Sequence, residues 1–248
     1  MRTPRSDAPA GKRRLSWFRL ITGVLMAALS VAILYQLWYL GLVFWYAHQN
    51  PSMSSVMRQE LTRLQASDAD AELRYQWVPY DRISNSLKRA VIAAEDSNFT
   101  GHEGIEWEAI RKAWEYNQRQ AERESSRRRG GSTITQQLAK NLFLSGDRSY
   151  LRKGQELVLA YMIEHVMDKQ RILELYLNVA EWGVGVFGAE AAARHYYGVS
   201  AAQLGASQAA RMAAMLPNPR YYDRNRNTSY LGSRSGTLQR RMSQVDIP

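Results

Sequence analysis

The most prominent feature of the hydrophobic pattern is an uncharged apolar segment, "LITGVLMAALSVAILYQLWYLGLVFWY", that runs from Leu20 to Tyr46. At about 1.5 Å per residue, a helix of this length extends over roughly 40 Å. The apolar core of a bilayer is about 30 Å thick, so the pattern predicts a transmembrane helix that tilts or projects beyond the surface. Tryptophan and tyrosine residues lie toward its two ends, where amphipathic rings favour the membrane interface.

The flanks of this segment predict its orientation. Residues 1–19 are basic, with Asp7 opposed by Arg2, Arg5, Lys12, Arg13, Arg14 and Arg19. By the positive-inside rule they form a cytoplasmic tail, and everything after residue 50 lies outside the cytoplasm. A cleaved signal peptide is the alternative, but its apolar region would cover about 7 to 15 residues and end at a small-residue cleavage site. The longer run here, ending "FWYAHQNP", favours an uncleaved anchor at residues 20–46.

Helical periodicity dominates the rest of the chain. Residues 47–77 are a mixed polar stretch that we interpret as a juxtamembrane connector with a short helix in "SVMRQELTRLQ". We find no alternating β pattern, so residues 78–248 are predicted to form one all-α domain without an internal repeat. Its helices are expected in "SNSLKRAVIAAEDSNF", "WEAIRKAWEYNQRQAE", "GGSTITQQLAKNLFL", "YLRKGQELVLAYMIEHVM", "DKQRILELYLN", "AEAAARHYYG", "SAAQLGASQAARMAAML" and "GTLQRRMSQV".

Composition narrows the function classes. Lys and Arg outnumber Asp and Glu by 33 to 23, and the resulting charge of +10 favours anionic partners. The absence of cysteine excludes disulfides, Cys-ligated zinc, iron-sulfur clusters and thiol nucleophiles. Nucleic acid is disfavoured because much of the charge lies in the N-terminal tail, while the aromatic residues lie in the anchor or on predicted core faces such as Trp107, Ile110 and Trp114.

One glycine-rich motif requires a separate interpretation. "GVGVFG", from Gly183 to Gly188, matches the dinucleotide-binding pattern G-x-G-x-x-G. That pattern should follow a strand and precede, by about 20 residues, an acidic residue for the ribose. Here it follows a predicted helix and no Asp or Glu lies near that distance, so we interpret the motif as a turn between two helices.

Two carboxylates and a group of basic residues are the candidates for the functional site. Glu95 ends an apolar helix, where partial desolvation would raise its pKa and suit it to proton transfer. Glu156 lies mid-helix near Lys140, Arg148, Arg152 and Lys153, and spacing alone favours ordinary ion pairing on a solvated helix face. The helix start at "GGST" adds unpaired N–H groups that suit an anion.

Four segments, "EDSNFTGHEG", "GGSTITQQLAKN", "RKGQE" and "RILELYLNVAEWG", resemble in order the successive motifs of the bacterial peptidoglycan glycosyltransferases, glycosyltransferase family 51. The resemblance extends from about Val78 to about Tyr222, and "PNP" at Pro217 fits the closing block of the family. Because no S-x-x-K or K-T-G motif is present, the chain resembles the monofunctional biosynthetic transglycosylases, without a transpeptidase domain.

The resemblance implies a lysozyme-like all-α fold behind one transmembrane helix, and polymerisation of lipid II. Glu95 matches the general base that deprotonates the 4-hydroxyl of the acceptor N-acetylglucosamine. That oxygen attacks C1 of the muramyl sugar of the growing lipid-linked chain, forming a β-1,4 bond with inversion and releasing undecaprenyl diphosphate. Glu156 matches the second carboxylate, expected to hold cations. The implied substrate-binding residues are Asp96, Phe99, His102, Ser132, Thr133, Gln136, Gln137, Lys140, Asn141, Arg148, Arg152 and Lys153.

The resemblance also implies a setting and partners. We expect a single-pass protein of the cytoplasmic (inner) membrane with a periplasmic catalytic domain, a divalent cation (Mg²⁺ or Mn²⁺) and no organic cofactor. Lipid II, lipid-linked glycan chains and other cell-wall synthesis and division proteins are the expected partners, and nucleic acid is not. A membrane-bound lysozyme-like muramidase and a non-catalytic cell-wall scaffold remain alternative functions. A pyrophosphate leaving group needs cations that a muramidase does not, so the basic residues favour synthesis over hydrolysis.

Overall fold

A computed structural model describes residues 11–123, 130–144, 146 and 149–248, with side chains from residue 17 onward, and every structural statement below concerns those residues. The chain divides into two compact units, one up to Trp45 and one from Tyr46 to Pro248. Helix α1, Gly11–His48, forms the described part of the first unit and continues into the second.

Helix α1 has the properties of a membrane span. Its stretch from Trp17 to His48 has a mean hydropathy of 2.1 over its most apolar window. Large apolar side chains such as Leu25 and Val31 are well exposed along it. Length and apolar composition therefore agree with the predicted anchor, since such a surface is stable in lipid and costly in water.

The second unit is a helical domain. Its helices are α2 Ser55–Gln65, α3 Asn85–Glu95, α4 Trp107–Glu122, α5 Ile134–Phe143, α6 Tyr150–Val166, α7 Lys169–Val179, α8 Ala189–Tyr197, α9 Ala206–Met215, α10 Pro219–Arg224 and α11 Ser229–Arg241. Several begin where the sequence places a capping side chain: Ser84 accepts from Leu87 N–H, Thr133 from Gln136 N–H, and Asp168 from Arg171 N–H. Local signals thus set these helix starts.

A small sheet accompanies the helices, which the absence of an alternating pattern did not predict. Strands β1 (Arg74–Tyr75), β2 (Glu181–Gly183) and β3 (Val186–Phe187) pair in the order β1-β3-β2, with β1 parallel and β2 antiparallel to β3. Strands of two or three residues are too short to show alternation. The "GVGVFG" motif forms this β2–β3 hairpin, which corrects our expectation of a simple turn between helices.

The core contains two helical layers. Helix α9 packs against α3 and α11, and α5 packs against α6 and α7. Fully buried side chains from these helices include Leu87, Leu138, Leu159, Leu175 and Leu238. The ends of α3 and α5 meet between the two layers, which places Glu95 close to the α5 residues.

The prediction that Trp107 and Trp114 of α4 face the core is wrong. Trp107 and Trp114 are 69% and 60% exposed, and the buried residue of this helix is Ala113. On α6, the apolar side chains of Leu151 and Tyr161 are also exposed, whereas Glu156 and Leu159 are buried. Spacing defines a helix face, but the direction of that face depends on which neighbours the helix meets.

Residues 47–77 include a helix that packs against the other helices of this domain. Helix α2 packs on α5, and Gln59 donates to Leu144 O (3.2 Å) and accepts from Gly146 N–H (2.9 Å). Strand β1 adds this segment to the sheet through Arg74 and Tyr75. The stretch between the anchor and Val78 therefore contributes to the walls of the site described below.

Candidate active site

Two cavities of about 670 Å³ and 790 Å³ share Ser132, Gln137 and Pro217. The first contains Lys140, Arg152 and Lys153 around Glu156, and a second charged group of Glu60, Arg63, Glu181 and Arg220. The second contains Glu95, Asp96, Glu106, Tyr230, Arg234 and Arg241. A cavity with Lys140, Arg152 and Lys153 on its wall thus adjoins the cavity that holds Glu95, and Gln137 lines both.

Glu95 is the last residue of α3 and lies on the wall of the second cavity. Its Oε2 accepts a hydrogen bond from Gln137 Nε2 at 2.8 Å. Burial raises the pKa of the Glu95 carboxyl, while the Gln137 hydrogen bond and the charges of Arg234 and Lys140 oppose that rise. A carboxylate with a raised pKa that still faces a cavity is suited to take a proton from a substrate hydroxyl.

Both carboxylate oxygens of Asp96 are engaged in hydrogen bonds within the protein. Its oxygens lie 2.9 and 3.0 Å from His102 Nε2, and Oδ2 also accepts from Ile134 N–H at 3.0 Å. His102 Nδ1 accepts from Gly104 N–H, which leaves Nε2 as the protonated nitrogen that donates to Asp96. Asp96 therefore joins the end of α3, the following loop and the start of α5.

The loop after Glu95 is stabilised by burial of Phe99 and by contacts with Lys169. Phe99 is fully buried, and Lys169 Nζ lies 4.6 Å from the centre of its ring. The same ammonium group donates to His102 O at 2.6 Å and to Glu164 at 2.9 Å. Phe99 and His102, predicted as substrate-binding residues, do not line either of the two cavities and instead support this loop.

Two glycines allow the backbone to close around the site. Gly104 has φ +82°, a conformation that favours glycine, and its carbonyl accepts from Thr133 Oγ1 at 2.6 Å. A Cβ on Gly131 would lie 3.0 Å from Ile110 Cα and 3.1 Å from Ala109 O. The glycine at position 131 therefore lets the segment before α5 approach α4 at the edge of the second cavity.

Glu156 is buried at the centre of the cation group. Its oxygens pair with Arg152, at 3.0 Å, and with Lys153. Lys153 Nζ also donates to Ser132 Oγ at 3.2 Å. Burial lowers the pKa of the Lys140 ammonium, and the charges of Arg152 and Lys153 add to that effect, while Glu156 opposes it. One carboxylate among three cations leaves positive charge available for an anion.

The other predicted residues lie around these groups. Ser132 lines both cavities, Thr133 caps α5 beside the second, and Asn141 lines the first. Gln136 is fully buried and its Oε1 lies 3.5 Å from Lys153 Nζ. Arg148 lies outside the described residues. Helix α6 begins at Tyr150, with Ser149 as its cap, one residue after Arg148.

Sequence reasoning missed residues that the fold brings to the site. Arg234 of α11 lines the second cavity and donates to Ala94 O at 3.2 Å, although it lies beyond the region of family resemblance. Tyr176 of α7 lines the first cavity and donates to Gln137 Oε1 at 3.1 Å. No local signal marks Arg234, and Tyr176 lies in the family segment "RILELYLNVAEWG", but its contact with Gln137 arises only through helix packing.

An ion-pair network forms another wall of the first cavity. Arg220 contacts Glu181 at 2.6 Å and Glu60 at 2.8 Å, and Arg63 contacts Glu60 at 2.6 Å. Burial raises the pKa of Glu181, and the Arg220 guanidinium opposes this. This network links α2 to α10 and to β2 along one wall of the cavity.

The residues present do not fit the predicted divalent cation. Glu156 already pairs with two cations, and further positive charge would be repelled there. Asp96, His102 and Glu106 place possible ligand atoms within 4.8 Å of one another. However, Asp96 accepts hydrogen bonds from His102 and Ile134, and His102 uses both ring nitrogens. We therefore derive no step through a metal.

Known proteins resemble this chain over most of its length. Residues 60–243 match the family described as Transglycosylase. The biosynthetic peptidoglycan transglycosylase of Bordetella pertussis is 76% identical over 236 residues, which cover 95% of this chain and 98% of that protein. Proteins of the same name from Bordetella avium and Chromobacterium violaceum are 66% identical over 239 residues and 50% identical over 230 residues. Those matches cover 96% and 93% of this chain, and 100% and 99% of the respective relatives.

Proposed function

We propose that this chain, which belongs to the transglycosylase family, polymerises peptidoglycan glycan strands from lipid II. The family and the names of the relatives support peptidoglycan transglycosylase activity. The reaction would transfer the growing lipid-linked chain to the 4-hydroxyl of the N-acetylglucosamine of lipid II.

The observation that carries this proposal is the pair of cavities that meet at Gln137. Glu95 lines one cavity, and Lys140, Arg152 and Lys153 line the other. A glycosyl transfer from a diphosphate needs a base on the acceptor side and positive charge on the leaving-group side. The acceptor sugar would therefore lie in the cavity of Glu95, and the donor diphosphate in the cavity of the cations.

In the proposed reaction, the Glu95 carboxylate removes the proton of the acceptor 4-hydroxyl. The oxygen forms a bond to C1 of the donor muramyl sugar as the bond from C1 to the diphosphate oxygen breaks, with inversion to a β-1,4 linkage. The electron pair leaves with undecaprenyl diphosphate, and the ammonium of Lys140 with the side chains of Arg152 and Lys153 would stabilise its charge. Arg148 is proposed for the same group from sequence alone.

Two carboxylates in one site are also typical of glycoside hydrolases, so hydrolysis is the alternative function. A lysozyme-like muramidase uses two carboxyl groups, one of which acts as an acid, and its leaving group is a sugar hydroxyl. Glu156, the second carboxylate here, is paired with Arg152 and Lys153 and is not available as a proton donor. The cation-lined cavity would have no role in such a reaction, so the site favours synthesis.

We also propose that the enzyme acts at the outer face of the cytoplasmic (inner) membrane. The apolar helix α1 supports an anchor, and the basic residues before it support a cytoplasmic N-terminus. Exposed Trp107, Trp114 and Tyr161 would suit contact with lipid, where the polyprenyl tails of both substrates remain. Other cell-wall synthesis and division proteins are proposed partners, and nucleic acid is not.

Purified full-length protein with labelled lipid II tests the proposal directly. Polymer length is read on gels for the wild type, Glu95→Gln and an exposed control, Glu115→Gln on α4. We expect polymer from the wild type and the control, and none from Glu95→Gln with retained binding of lipid II. Polymer made by Glu95→Gln would exclude Glu95 as the base, and muropeptides released from intact sacculi would favour the muramidase. A scaffold would be indicated if Glu95→Gln and Lys140→Ala were both silent in cells.

A further inference from the structure

We propose that Tyr176 is a positioning residue for the base: its hydroxyl fixes the Gln137 amide so that the amide nitrogen faces the Glu95 carboxylate. This inference rests on the proposed role of Glu95 as the base. It assigns a role to Tyr176, a buried residue of α7 that lies in the family segment "RILELYLNVAEWG" but was not among the predicted site residues.

Three helices contribute to this hydrogen-bonded chain. Tyr176 of α7 is 2% exposed and its hydroxyl donates to Gln137 Oε1 at 3.1 Å. Gln137 of α5 then donates from Nε2 to Glu95 Oε2, at the end of α3, at 2.8 Å. The direction of donation is therefore continuous from the tyrosine hydroxyl, through the amide, to the carboxylate.

The hydroxyl determines which end of the amide faces Glu95. An amide has one accepting end and one donating end, whereas an ionised carboxylate only accepts. Burial raises the pKa of the Tyr176 hydroxyl well above its usual value, so it keeps its proton and donates at every pH at which the enzyme would work. If the amide turned over, its oxygen would face the carboxylate and the buried hydroxyl would lose its acceptor, which is costly.

This arrangement matters because Glu95 is desolvated. Burial raises the pKa of Glu95, and a donor aimed at the charged form opposes the rise. Without the tyrosine hydroxyl, protonated Glu95 could turn the amide and donate to its oxygen, which would stabilise the protonated, inactive form of the base. Tyr176 thus keeps Glu95 in the form that can accept a proton.

The aromatic ring of Tyr176 has a separate, structural role. It fills space in the core between α5 and α7, where Leu138 and Leu173 are also fully buried. Phenylalanine keeps the ring and removes only the hydroxyl, so Tyr176→Phe tests the hydrogen bond with little change in packing. Tyr196→Phe is the matched control, because the hydroxyl of Tyr196 donates to Trp182 O at 2.7 Å and Tyr196 does not line either cavity.

The experiment measures kcat/KM against pH with lipid II and full-length wild type, Tyr176→Phe and Tyr196→Phe. We expect the acidic limb of Tyr176→Phe to move to higher pH by about 0.5–1 unit, which is a three- to tenfold loss of rate at a fixed pH on that limb. The rate at the plateau should be largely retained. The control should keep the acidic limb of the wild type, even if its thermal stability falls.

Gln137→Met provides a second variant, which remains informative if Tyr176→Phe fails to fold. It should shift the acidic limb in the same direction, and the double variant should shift it no further than Gln137→Met alone, because both changes remove the same chain. If the acidic limb does not move in Tyr176→Phe or in Gln137→Met, and Glu95→Gln is inactive, the inference about Tyr176 is wrong but the proposed function stands. Activity of Glu95→Gln would instead contradict the proposed function.

Discussion

Oε2 of Glu156 lies 3.0 Å from Nη1 of Arg152, one helical turn earlier on α6. The carboxylate side chain is 4% exposed, whereas that of Arg152 is 18% exposed. Its other oxygen pairs with Lys153, which also contacts Ser132. Both oxygens are engaged by cations, which favours the proposed role of Glu156 in holding those cations over a role in proton transfer.

Glu156→Gln should therefore weaken binding of the donor diphosphate more than it impairs deprotonation of the acceptor hydroxyl. A neutral amide cannot hold two cations, and leaving buried charges unpaired destabilises proteins by up to about 3–5 kcal/mol, less here because Lys153 is 41% exposed. We expect a raised KM for lipid II and a lower melting temperature. A steady-state assay and thermal unfolding in detergent measure both, and an acidic limb displaced with unchanged KM would contradict this role.

Glu95→Gln should stabilise the protein at neutral pH while abolishing polymerisation. Burial raises the pKa of Glu95, so folding takes up a proton between the ordinary glutamate pKa, about 4.3, and the raised value. The wild type loses stability as the pH rises through that window, and the glutamine variant does not. At pH 8 we expect the melting temperature to rise by about 2–4 °C, the equivalent of roughly 1 kcal/mol. At pH 4 the difference should vanish, and the exposed Glu115→Gln should show none at either pH.

Lys140→Arg should extend activity to higher pH. Burial lowers the pKa of Lys140, so the wild type loses this positive charge, and with it donor binding, at a lower pH than an exposed lysine would. Arginine keeps its charge throughout. We expect the alkaline limb of kcat/KM to move upward in Lys140→Arg but to stay in place for the exposed control Lys112→Arg of α4. An alkaline limb common to all three proteins would assign it to another group.

Arg234→Met should displace the acidic limb. The Arg234 guanidinium lowers the pKa of Glu95, which burial has raised, and it also binds the Ala94 carbonyl at the end of α3. Its loss should move the limb to higher pH and reduce stability modestly. Arg234→Lys should restore much of the position of the limb. Arg240→Met, on an exposed part of the same helix, is the control, and equal profiles for both methionine variants would remove Arg234 from the site.

Glu106→Gln should leave the divalent-cation dependence unchanged. Asp96 and His102 are committed to each other and to backbone N–H groups, so the three residues do not form a ready metal site. Polymerisation by the variant and the wild type is titrated with Mg²⁺ and Mn²⁺ after treatment with EDTA. We expect the same half-saturating concentration for both proteins, and a clear increase in the variant would place a metal at Glu106.

Local features of the sequence were sufficient for much of the fold. Length and apolar composition predicted the N-terminal helix, and helical periodicity predicted segments whose helices begin at the capping side chains of Ser84, Thr133 and Asp168. These signals act within one turn of the chain, so they can be recognised without knowledge of the tertiary structure. The family motifs added Glu95 and Lys140, which the fold brings to adjoining cavities.

Other features depended on packing between distant segments. The sequence could not show that Trp107 is exposed, because the direction of an apolar face depends on its neighbours. It gave no indication that Tyr176 contacts Gln137 or that Arg234 contacts Ala94, partners that are 39 and 140 residues away along the chain. The sequence alone thus determined the long apolar N-terminal helix, most of the other helices and the candidate base. Only the tertiary structure decided which groups surround that base, since burial and hydrogen bonding, which set its proton affinity, arise when α3, α5, α7 and α11 pack together.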